Sequence, residues 1–217
     1  MKQIKAILFD LDGVLVDATE WHYLALNRAL ALFGYAINHY EHLSTYNGLP
    51  TGKKLEMLSI EKGLPPALHA LIKRLKQKFT REEILSNCSP AFDKEFMIRR
   101  LKREGYRIAV CSNAIRESVD LMLRSTALLE EIEFFLSNED VKNPKPSPEI
   151  FVEAFKKLSL DPQEVVIVED AGPGVEAARR SGAHLCRVAG FDHVNYFLIK
   201  EFINRIESKN ESKQVTV

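Results

Sequence analysis

A chain of 217 residues, 46% of them hydrophobic, suits one large domain or a core with a small accessory domain, and it excludes wholesale disorder. Lys plus Arg and Asp plus Glu both number 30, and this zero formal charge argues against a general binder of nucleic acid. No apolar run approaches the roughly 20 residues that span a bilayer, so no membrane partner is expected.

The N-terminus, MKQIKAILFD, is too short in its apolar run and too acidic at its end for a signal peptide. Cys88, Cys111 and Cys186 fit neither a disulfide framework nor a metal spacing and read as reduced thiols of a cytoplasmic protein. In chain order, the first apolar run, IKAILFD (4–10), runs directly into DGVLVD. Asp10 and Asp12 therefore stand where a buried strand ends, and Gly13 permits the turn that swings Asp12 over that end. From about 19 to 81 no strand pattern occurs. TEWHYLALNRALALFG, GKKLEMLSIEKG and PALHALIKRLKQKFTREEIL all carry helical spacing. Hinges are expected at 16–19 and around 80–89.

The later segments alternate. KEFMIRRLKREG reads as a helix stopped by Gly105. YRIAVCS (106–112) is a second strand, ending at Ser112 and Asn113. EFFLS (133–137) is a third, followed by NPKPSP, which holds Lys145 between two prolines. Ser147 and Pro148 should cap and open the helix PEIFVEAFKKLS. EVVIVED (164–170) ends at Glu169 and Asp170, PGVEAARRSG reads as a helix from Pro173 to Gly182, and HLCRVA (184–189) is a fifth strand. The tail ESKNESKQVTV is polar and expected to fray.

Apolar runs that are continuous rather than alternating belong to a parallel sheet covered on both faces. The expected fold is α/β: a doubly wound, Rossmann-like core with an inserted α-helical cap domain. The core would comprise 1–16 and 83–217, and the cap 17–82. Ligands of such sheets bind beyond the carboxyl ends of the strands. Four carboxylates, a hydroxyl and a lysine fall at those ends. Ionised carboxylates crowd only around a counter-charge, and Mg²⁺ is a hard cation suited to them. A carboxylate beside Mg²⁺ can attack phosphorus, with Lys145 and Ser112 suited to hold the phosphoryl group and a second carboxyl to move the proton.

FDLDGVLVD, CSNA, NPKPSPEIF and VEDAGPGVEAARRSG, in this order, resemble the four motifs of the haloacid dehalogenase superfamily. The likeness is to its phosphatase and β-phosphoglucomutase branch, with a helical cap after the first motif. It implies Asp10 as nucleophile, Asp12 as general acid and base, and Ser112 and Lys145 as phosphate holders, with Asn113 and Ala114 beside them. It implies Mg²⁺ on Asp10, the main-chain carbonyl of Asp12, Asp170 and Glu169. His22 corresponds to a histidine near the hinge, and Thr51 and Lys53 lie in the cap loop that meets substrate. The implied activity is hydrolysis of a small phosphorylated metabolite, sugar phosphates above all, by a monomer or weak dimer.

Several readings stay open at this level. The alternative activity is a hexose-phosphate mutase; a silent binding module is a third. Against the mutase, Pro50 and Thr51 stand where a phosphate-gripping arginine is expected. His22 is either a leaving-group neighbour or an ordinary helix residue. Ser112 and Asn113, and likewise Glu169 and Asp170, are also candidate helix caps. KRLKQKFTR (73–81) is either a cationic face over the substrate or a solvated helix face.

Overall fold

A computed structural model describes residues 3–212, with side chains through residue 208. Five strands form one parallel sheet: β1 (Ala6–Phe9), β2 (Arg107–Cys111), β3 (Phe134–Leu136), β4 (Val165–Glu169) and β5 (His184–Arg187), in the order β3-β2-β1-β4-β5. The chain builds outward from β1 on one side, then returns to build on the other. That reversal makes a switch point beside the end of β1.

Side chains alternate across a strand, so each β1 residue commits to one face. Ile7 and Phe9 join Ile108, Val110, Val166 and Val168 on one face. That face is covered by α5 (Phe92–Arg103), α6 (Arg116–Ser125) and α9 (Tyr196–Ser212). Ala6 and Leu8 join Ala109, Val165 and Ile167 on the other, under α7 (Glu149–Leu158) and α8 (Gly172–Ser181). Both faces are buried, which is why the strands read as unbroken apolar runs.

Between β1 and α5 lie only helices among the described residues. They are α1 (Thr19–Ala31), the short α2 (His39–Glu41) with a π turn over His42–Tyr46, α3 (Thr51–Lys62), a 3-10 turn over Pro66–Leu68 and α4 (His69–Asn87). Leu26 and Leu30 of α1, Leu55 and Leu58 of α3, Ile72 of α4 and Tyr46 form a core of their own. α4 also places Ile84 in the sheet core. One continuous helix thus runs through residues 82 and 83, and the expected hinge at 80–89 is helical as far as Asn87.

Several local readings need correction. Pro148, not Ser147, occupies the position before α7, although the Ser147 hydroxyl still accepts from the Glu149 N–H at 3.4 Å. α8 begins one residue before Pro173. α9 was not expected: Ile199 and Ile203, one turn apart, bury a short apolar stripe that is easily missed in a polar segment. Residues 207–212 of the supposed tail continue α9, and 213–217 lie outside the described residues. All three cysteines are free, Cys111 and Cys186 buried and Cys88 half-buried. No helix among the described residues is long and apolar enough to cross a membrane.

Ile167 is fully buried on β4, which lies between β1 and β5. Ile167→Ala should lower stability by about 2–5 kcal/mol, the usual cost of emptying a packed site. The midpoint of urea unfolding measures it; an unchanged midpoint would contradict this packing.

Candidate active site

The register aligns Phe9 with Val110 and with Val168, so Asp10, Cys111 and Glu169 come abreast at the carboxyl edge. The Asp10 N–H donates to the Val168 carbonyl at 3.0 Å and holds the chain in line there. Lys145 enters from the loop after β3, between Pro144 and Pro146. Its ammonium donates to Asp10 Oδ1 at 2.7 Å, to the Cys111 carbonyl at 2.7 Å and to Glu169 Oε1. An ammonium has three protons, and all three are used. Burial alone favours the neutral amine, but Asp10 and Glu169 outweigh it and hold Lys145 protonated, above its ordinary range.

One ammonium does not balance the acids. Asp10, Glu169 and Asp170 bring an oxygen each to within 4.8 Å of one another. Burial, and then the Asp10 charge, pushes Glu169 up to about 8 and Asp170 up to about 7. Burial likewise raises Asp10, against the pull of Lys145. Glu169 Oε2 and Asp170 Oδ1 are buried without a hydrogen-bond partner among the described residues. Buried polar atoms left unpaired are costly and call for an unseen partner. Hard oxygen donors in this number fit a divalent cation such as Mg²⁺.

Two glycines keep this cluster open. Gly13 lies in the left-handed region with φ +83°, and its N–H donates to the Val16 carbonyl at 2.7 Å. A Cβ there would overlap Asp170 Oδ2, and a Cβ on Gly174, in the first turn of α8, would overlap the Glu169 carboxylate. Gly174 was not singled out in the sequence, where it reads as one more glycine at a helix start.

The Asp12 carboxylate lies outside the three-acid cluster. Its Oδ1 accepts from His22 Nε2 at 3.0 Å and its Oδ2 from the Ser112 hydroxyl at 3.4 Å. Lys76 Nζ donates to His22 Nδ1 at 3.1 Å, which leaves the ring proton on Nε2, facing Asp12. Burial, followed by the Lys76 charge, holds His22 below its usual value, so near neutrality it acts as an uncharged donor. Burial raises Asp12, but His22 and its hydrogen bond outweigh this, and the carboxyl is held below its usual value.

Asn113 is a clamp. Its amide donates to Gly48 O at 2.9 Å and Lys145 O at 3.1 Å, while its Oδ1 accepts from the Lys145 N–H at 3.0 Å. It thus joins the loop before α3 to two sheet-end segments. Neither it nor Ser112 caps α6; the Ser112 hydroxyl accepts from the Ala114 N–H at 3.0 Å. No side chain caps α8, so Glu169 and Asp170 do not serve that purpose.

A cavity opens between the strand ends and the helical insert. Of the expected substrate contacts, His22, Thr51, Asn113, Ala114 and Lys145 line it, with Asp10 and Asp12, whereas Ser112 is fully buried and does not line it. Lys53 does not. It is exposed on α3 and pairs with Glu56 at 3.2 Å. Its neighbour Lys54 is buried and lines the cavity instead. The run 73–81 divides between the two readings. Lys73 and Lys76 line the cavity, whereas Arg81 faces out and pairs with Glu117 at 2.7 Å.

The family model for haloacid dehalogenase-like hydrolases matches residues 7–188. Protein CbbY of Cereibacter sphaeroides is 30% identical over 203 residues, covering 87% of this chain and 85% of that one. The phosphorylated carbohydrates phosphatase of Thermotoga maritima is 29% identical over 192 residues, 88% of this chain and 86% of its own. The β-phosphoglucomutase structure from Clostridium difficile superposes with a TM-score of 0.81 at 21% identity, covering 94% of this chain and 98% of that one. The chain belongs to the haloacid dehalogenase-like hydrolase family.

Gly174→Ala should push Glu169 off its position, lower stability by about 1–3 kcal/mol and weaken the thermal shift that Mg²⁺ produces. Differential scanning fluorimetry with and without Mg²⁺ reads both effects. Wild-type behaviour would show that the Glu169 carboxylate is not confined by this glycine.

Proposed function

We propose that this haloacid dehalogenase-like hydrolase is a Mg²⁺-dependent phosphatase of small phosphorylated metabolites, sugar phosphates foremost, acting through an aspartyl phosphate on Asp10. The observation that carries the reading is the placement of Asp10, between the Lys145 ammonium and two buried acids whose outer oxygens lack a partner. The T. maritima relative, by its name a phosphatase of phosphorylated carbohydrates, supports the substrate class.

Asp10 attacks phosphorus, and the bond to the leaving oxygen breaks as Asp12, protonated once the negative charge of the bound substrate counters the pull of His22, passes that oxygen a proton. Water then attacks the phosphorus of the aspartyl phosphate, Asp12 takes its proton, and Asp10 is released with inorganic phosphate. Ser112 and the Ala114 segment hold the phosphoryl oxygens, and Lys145 acts on them through its positive charge. Lys145 also favours the ionised form of Asp10, against its burial. Asp10, Glu169, Asp170 and the Asp12 carbonyl would hold Mg²⁺. When bound, the cation supplies positive charge to the phosphoryl oxygens and relieves the crowding of the acids. The helical insert acts as the cap: it roofs the strand ends and keeps bulk water from the aspartyl phosphate.

The second reading is the hexose-phosphate mutase. The His22–Asp12 hydrogen bond favours it, since it places a histidine of the insert on the proton-transfer group. Pro50 and Thr51 in place of the loop arginine oppose it. β-Glucose 1-phosphate with a trace of the bisphosphate separates the two: inorganic phosphate supports the phosphatase, glucose 6-phosphate the mutase.

Asp10→Asn should lower kcat by on the order of 10³-fold or more, because an amide is a poor nucleophile. Phosphate release at the wild-type rate would end the covalent mechanism. EDTA should silence hydrolysis and Mg²⁺ restore it. Glu169 and Asp170 are held up at about 8 and about 7, so without metal the folded state keeps their protons and stability falls as pH rises towards 8. A cation takes the ionised forms, so the rise in Tm on adding Mg²⁺ should grow from pH 5 to pH 8. A pH-independent shift would remove these two acids from the ligand set.

A further inference from the structure

The seam between α5 and α9 carries a row of aromatic rings that opens onto solvent. Phe92 and Phe96, one turn apart on α5, stack with ring centres 6.3 Å apart. Phe96 meets Tyr196 edge-on at 6.0 Å, and Tyr196 meets Phe197 edge-on at 5.4 Å, at the start of α9. Phe92, Phe96 and Phe197 are 84%, 45% and 74% exposed. These three phenylalanines join neither core cluster of the sheet nor that of the insert, and none of the four rings lines the cavity. Folding and the active site therefore leave them without a task.

The row is tied down from beneath. The buried Lys94 ammonium donates to the Val194 carbonyl at 2.9 Å and stands 3.9 Å from the Phe191 ring centre, which pins the segment leading into α9. The Tyr196 hydroxyl donates to Glu104 at 2.6 Å, and the Arg100 guanidinium stands 5.8 Å from its ring centre. Rings already held in place lose little freedom on contact. An aromatic side chain can bury about 150–250 Å², so these exposures leave roughly 400 Å² of phenylalanine open. That is about half of the roughly 800 Å² each partner gives to a stable interface, and it lies in the range where apolar patches serve binding.

The rim indicates the partner. Charges within a turn of the rings pair inside the protomer: Glu95 with Arg99 at 3.2 Å, Arg100 with Glu104 at 3.0 Å, Lys200 with Glu104 at 2.9 Å, and Glu201 with Arg205. A lipid surface calls for a rim of free cations, and these cations are engaged. Two copies of a rim neutralised in this way meet without repulsion. We infer that two copies of this chain pair through Phe92, Phe96, Tyr196 and Phe197, the same patch serving both partners about a two-fold axis and leaving both cavities uncovered.

Sedimentation velocity of the full chain from about 1 to 200 µM tests the pairing, the range suited to an interface at the small end of the size scale. The wild type should pass from monomer to dimer across that range. Phe197→Glu sets a charge against the partner's rings and should raise the dimer Kd about tenfold or more. Tyr40→Glu, at an equally exposed aromatic of the insert, should leave the Kd unchanged. A wild type that stays monomeric throughout overturns the pairing. A Phe197→Glu protein that dimerises like the wild type overturns this face, as does a Tyr40→Glu protein weakened to the same extent. Monomeric wild type that cosediments with phosphatidylcholine–phosphatidylserine vesicles, while Phe197→Glu does not, assigns the face to lipid and overturns the dimer. If Phe197→Glu fails to fold by circular dichroism, Phe92→Glu takes its place under the same criteria.

Discussion

Three carboxylates and one ammonium crowd together at the end of a parallel sheet, and the rest of the site follows from that imbalance. The sheet dictates it: β1 and β4 are neighbours in register, so Asp10 and Glu169 must lie side by side. Lys145 relieves part of the repulsion by spending every proton it has. What remains is relieved by protonation of the acids or by a cation, and the upward displacement of Glu169 and Asp170 expresses the first of these. The glycines belong to the same account. Crowded acids need room, and Gly13 and Gly174 give it where any side chain would intrude.

The insert and the core meet through polar contacts as well as through packing. Asn113 ties the loop before α3 to the Lys145 segment, and His22 ties α1 to Asp12. Lys76 then joins α4 to His22. The acid expected to move protons is therefore oriented by residues of the insert, so covering the cavity and arranging Asp12 are one event. Loss of either insert contact should disturb both.

Much of the sheet was legible in the sequence because a strand buried on both faces leaves an unbroken apolar run. Asp10, Ser112 and Glu169 were legible because the strand ends mark where polar residues gather. The helical wall was harder to read. Lys53 and Lys54 differ by one position, which is about a 100° turn on a helix, and the apolar pattern of α3 is too weak to phase them. The structure buries Lys54 and exposes Lys53. The role of Gly174 was hidden for another reason: its constraint comes from Glu169, a residue of the preceding strand. Only the packing of α8 on the sheet end brings the two together. α9 escaped notice because its buried stripe, Ile199 and Ile203, is narrow and set among charged residues.

α4 is one rod with its two ends in different cores, Ile72 in that of the insert and Ile84 in that of the sheet. A rod anchored in this way transmits force but does not fold like a flap. A cut at residue 82 would pass through this helix. Exchanging the roof with that of a relative would require splicing in the short non-helical stretch after Asn87, so that the strut travels with whichever roof it braces.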